Sequence, residues 1–89
     1  MLEFNEEYGT KNAPCEVYFK GVRIFTIRYA RDIKEYWICD TGNFINFSYH
    51  APNNTLDFIE PYKYSKTLEE AKNNCKHIMS SYINWLTEK

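Results

Sequence analysis

The 89-residue sequence lacks an excess of charge of either sign: 11 Lys and Arg stand against 12 Asp and Glu, for a net charge of −1. Counterion release from a phosphate backbone needs clustered positive charge, so this balance argues against a general nucleic-acid binder. Long apolar runs are also missing. No stretch approaches the roughly 18 apolar residues of a membrane span, and MLEFNEEYGTKN at the N-terminus is acidic, without the apolar core of a signal peptide. No membrane partner and a cytoplasmic location are therefore expected. Asn46-Phe-Ser48 and Asn53-Asn-Thr55 fit the glycosylation acceptor pattern, but without a secretory route they read as chance matches. Glycine numbers only three, and isolated glycines cannot form a phosphate-cradling loop.

Histidine and cysteine are scarce too, at two and three. Zinc sites use close pairs such as C-x₂-C or H-x₃₋₅-H. The nearest pair here, Cys75-x-His77, is splayed about 200° apart on a helix, so no metal and no cofactor is expected. Cys39 with His50 is the one nucleophile–base combination, and it reads more simply as a strand cysteine and a loop histidine. The carboxylate pairs Glu6-Glu7 and Glu69-Glu70 and the separate Asp57 and Glu60 have no apolar setting that would raise an acid's pKa. No catalytic residues are assigned, and a non-enzymatic protein is expected.

Aromatic residues are abundant instead: eight Tyr, six Phe and two Trp. A disordered chain would be poor in these, and 89 residues make one domain. Residues 1–14 read as a loose or edge-strand lead-in, 15–60 as a sheet region and 67–87 as a helix. Alternation places strands near 15–19, 22–30, 35–40 and 44–49, with Lys20-Gly21 as a two-residue hairpin turn. Leu56 to Ile59 fits a short strand or one helical turn, stopped by Pro61. Thr67-Leu-Glu-Glu70 is a capping-box pattern. Leu68, Ala71, Cys75, Ile78, Tyr82 and Trp85 then form an apolar stripe opposite Glu69, Lys72, Asn73 and Lys76. The expected fold is α+β: an antiparallel meander of four strands, or five, covered on one face by a single C-terminal helix.

Val22 to Asp32, VRIFTIRYARD, is apolar in both phases of its alternation. With a tight hairpin register, Val17, Phe19, Val22 and Ile24 lie beneath the helix, and Tyr18, Arg23, Phe25, Ile27 and Tyr29 are left on the second face. Tyr, Phe and Arg concentrate in protein interfaces. The expected partner-binding set is therefore Tyr18, Arg23, Phe25 and Tyr29, with Arg28 and Arg31 at the rim. A protein partner is expected first, a homodimer through the same face is a second form of it, and a nucleic acid stacked on the rings is the alternative. A competing expectation is that Leu2, Phe4 and Tyr8 fold over this face and bury it.

The hairpin Phe19-Lys-Gly-Val22 and the segment Thr67-Leu-Glu-Glu-Ala-Lys72 give a layout over residues 15–86 that resembles short phage and prophage accessory proteins, the anti-CRISPR inhibitors of bacterial defence nucleases among them. The resemblance implies an inhibitor that binds a host protein in the host cytoplasm without catalysis. It carries over no functional residue.

Overall fold

In the computed structural model the described residues are 2–7, 9–41 and 56–87. Among the described residues five strands form an antiparallel sheet in chain order: β1 (Leu2–Asn5), β2 (Cys15–Phe19), β3 (Val22–Ala30), β4 (Glu35–Asp40) and β5 (Tyr64–Ser65). A short helix, α1 (Leu56–Ile59), runs into a 3₁₀ turn at Glu60–Tyr62 before β5, and α2 (Leu68–Thr87) follows. The fold is α+β, with an open sheet and a C-terminal helix.

The expected bounds of β2, β3 and β4 match the structure, and the lead-in supplies edge strand β1. Leu56–Ile59 is helical. The strand expected over 44–49 lies outside the described residues. The described neighbour of β4 on that edge is β5, through Tyr36↔Ser65 and Trp37↔Tyr64.

Local chemistry accounts for the connections. Lys20 (φ 50°) and Gly21 (φ 80°) are both left-handed, the requirement of a type I′ turn, whose twist suits a two-residue hairpin. Thr67 starts α2: its Oγ1 accepts from the Glu70 amide at 3.1 Å, and its carbonyl accepts from the Ala71 amide.

The second apolar phase of β3 has a backbone cause. The β2–β3 register runs Phe19↔Val22 and Tyr18↔Arg23, then skips to Val17↔Phe25, leaving Ile24 as the extra residue of a β-bulge. Ile24, at the bulge, turns inward, and so do Phe25 and Ile27 beyond it. Four successive residues, Ile24 to Ile27, are consequently buried. Phe25 and Ile27 thus do not lie on the second face as a bulge-free register requires. They join Cys15, Val17, Ile24 and Ile38 in one core with Ile59, Ala71, Cys75, Ile78, Met79 and Tyr82. The last five of these are the apolar stripe of α2, at the expected helical spacing.

Leu2 and Phe4 pack against this same core, opposite Phe19 and Val17 across the β1–β2 ladder. They do not cover the second face, and Tyr8 lies outside the described residues. Lys72 of α2 ties the lead-in down, since its ammonium donates to Glu6 and lies over the Phe4 ring.

Candidate functional site

The six residues expected on one binding face are divided among four places. Phe25 is fully buried and unavailable to a partner. Tyr29 is half-buried and stands opposite Tyr36, ring centroids 5.0 Å apart, on the core side of the sheet. Tyr18 and Arg23 lie on the other side of the sheet but share one carboxylate: Tyr18 Oη donates to Glu16 Oε2 at 2.9 Å, and Arg23 Nη1 to Oε1 at 3.0 Å. The bond to Glu16 holds the Tyr18 phenol above its ordinary pKa, because ionising it would remove the donor and place two negative charges together. This trio is internally satisfied.

Arg28 and Arg31 are exposed, and they lead to a site that alternation alone did not single out. Residues directly opposite in a ladder share a face. Arg28 stands opposite Trp37, and Trp37 opposite Tyr64. One row across β3, β4 and β5 therefore carries a guanidinium and two aromatic rings on the side away from the core. The Lys63 ammonium lies 5.9 Å from the Trp37 centroid and 5.7 Å from that of Tyr64, within cation–π range of both. Beside the row is a groove of about 320 Å³ lined by Ala30, Asp32, Ile33, Trp37 and Tyr64. Tyr64 is 51% exposed and Ile33 47%.

Tyr64 was illegible because β5 has two residues and no period. Trp37 was visible as the odd phase of EYWICD, but only a partner strand shows what stands beside it.

The groove wall is anchored from the helix. Asn74 Nδ2 donates to Ser65 Oγ at 2.8 Å and to the Tyr62 carbonyl at 3.2 Å, and the Ile38 amide donates to the Lys63 carbonyl at 3.0 Å. These bonds fix residues 62–65 from both sides.

For the chemistry considered from sequence, Cys75 is fully buried and His77 is exposed, stacked on Tyr62 at 5.3 Å. Cys39 is half-buried on β4, and His50 lies outside the described residues. Among the described residues no three His, Cys, Asp or Glu side chains gather as a metal-binding group, and no helix is long and apolar enough to cross a membrane. Burial pushes the Cys15 thiol up to about 11 and Cys75 further still, so neither ionises readily as a nucleophile.

Compared with protein-family models, with curated proteins and with solved structures, the chain finds no match.

Proposed function

We propose that the chain is a small non-catalytic binding protein and that the Arg28–Trp37–Tyr64 row is the centre of its contact with a protein partner. The observation that supports this is the row itself: two aromatics and an arginine side by side on a hydrogen-bonded sheet, turned away from the core. Aromatic and arginine side chains carry most of the energy of typical interfaces. A sheet holds its rings in place before contact, so little rotamer entropy remains to be lost on binding. An inhibitor of a host defence nuclease, the role implied by the resemblance to small phage accessory proteins, would act through such a surface by occupancy alone.

The test is affinity capture from a bacterial lysate with the wild-type chain, a Trp37→Ala, Tyr64→Ala double variant and a Val22→Ala control. Folding of each is checked by circular dichroism. Partners held by wild type and control but lost by the folded double variant support the reading. A folded double variant that retains all of them refutes it. Light scattering on the free protein shows whether the partner is a second copy.

A further inference from the structure

We infer that the groove beside Trp37 takes an acidic protein segment carrying one large apolar side chain; this rests on the reading above and names the chemistry of its partner.

The first support is the distribution of unanswered charge. Arg28, Arg31 and Lys34 are exposed and make no ion pair among the described residues. All three lie on β3 or on the 31–34 turn that supplies Asp32 and Ile33 to the groove. Lys63, across the row, stands over the Trp37 and Tyr64 rings and makes no ion pair among the described residues. Glu35 is engaged by Lys66 at 3.5 Å, which leaves Asp32 as the carboxylate lining the groove. Elsewhere Arg23 is held by Glu16 and Lys72 by Glu6, Lys20 and Lys76 stand over phenyl rings, and Lys11, in the 9–14 loop, makes no ion pair among the described residues. Three cations without an ion pair among the described residues thus stand on β3 and on the turn beside the Trp37 groove, in a chain of net charge −1. Guanidinium groups meet carboxylates in a two-point geometry, which makes Arg28 and Arg31 suited to Asp or Glu of a partner.

The second support is the groove's own lining. Ala30, Ile33 and the two rings form an apolar floor and walls, where a large apolar side chain would displace water from exposed hydrocarbon. The third separates protein from nucleic acid. Base stacking needs an open ring face, whereas here the Lys63 ammonium already stands over both rings. A base stacked on that side of the rings must displace the cation, whereas a carboxylate binds to it where it stands.

The test is a display selection of random dodecapeptides on the folded wild-type protein, counter-selected on an Ile33→Asp variant. Ile33 is nearly half exposed on a turn, so that variant keeps the fold while spoiling the groove. Enriched peptides are expected to place Asp or Glu around a Phe, Leu or Trp. A synthetic copy of one should lose at least tenfold in affinity, by fluorescence anisotropy, on the Arg28→Glu, Arg31→Glu variant. Enrichment of neutral or basic peptides, no groove-dependent enrichment, or tighter binding of labelled oligothymidylate than of any selected peptide overturns the inference. The two readings fail differently. A lysate partner lost with Trp37→Ala, Tyr64→Ala but retained by the charge-reversed variant keeps the face and removes the acidic segment.

Discussion

Replacing Phe25 by Ala tests the bulge on which the division of the sheet's two sides depends. Phe25 is fully buried, with Ile24 and Ile27 beside it and Val17 opposite. Removing a buried phenyl ring costs about 3–5 kcal/mol, through lost transfer energy and the cavity left behind. A chain of this length has about 4–13 kcal/mol in all at typical values per residue, so the variant should lose about a quarter of its stability or more. At 4–8 °C per kcal/mol for a domain this small, its melting temperature should fall by about 12 °C or more. Val22 belongs to the same strand but is 40% exposed, and Val22→Ala should cost less than about 1 kcal/mol. Urea unfolding followed by the helical signal at 222 nm gives both values. Without a bulge the ranking inverts, because Val22 would be in the core and Phe25 outside. A Phe25→Ala cost under about 1 kcal/mol, with a larger one for Val22→Ala, refutes the register.

Three other outcomes are expected. Lys34 holds a left-handed φ of 54° in the β3–β4 turn, so Lys34→Gly should stabilise the protein by about 0.5–1 kcal/mol; a lower unfolding midpoint contradicts this. A β-carbon on Gly9 would meet the Pro14 carbonyl oxygen at 2.3 Å, so Gly9→Ala should cost about 1–3 kcal/mol, and an unchanged melt would show that the 9–14 loop yields. Cys15 and Cys75 stay protonated in the fold well above the pH at which an unfolded thiol ionises, because burial disfavours the thiolate. Above about pH 9 the unfolded chain releases protons that the native one keeps, so stability falls as pH rises, by at most about 1.4 kcal/mol per unit for each thiol. Full stability at pH 10.5, or alkylation of Cys15 before half-buried Cys39 in native protein, would count against this.

What could be read in the sequence was whatever depends on neighbours along the chain. The bounds of β2 to β4 follow from alternation and turn residues, and α2 from its cap and its 3–4 spacing. The bulge escaped because adding one residue to a strand changes nothing local; it changes which neighbours meet. Its trace was nonetheless present in VRIFTIRYARD, where apolar residues switch from even to odd positions at Ile24-Phe25. Taken as two greasy faces, that switch pointed to a surface; taken as one face with a register change, it points to the core. The same error carried Phe25 and Tyr29 into the expected binding set. Arg28 shares the phase of Val22 and Ile24, so a bulge-free register would carry it to the helix side; the bulge is what turns it outward beside Trp37. The site around it needed β5, a strand of two residues that exists only because β4 and Asn74 hold it.

That last dependence separates where binding occurs from where it is lost. Tyr64 reaches the groove on two ladder pairs, and Ser65 beside it turns inward to an amide of the helix. Loosening that amide, or the turn of α2 that carries it, would leave the core standing while the ring beside Trp37 drifts. A screen for variants that fold but no longer bind would therefore map to two patches on opposite sides of the sheet. The helical patch would look like a second interface although nothing docks there.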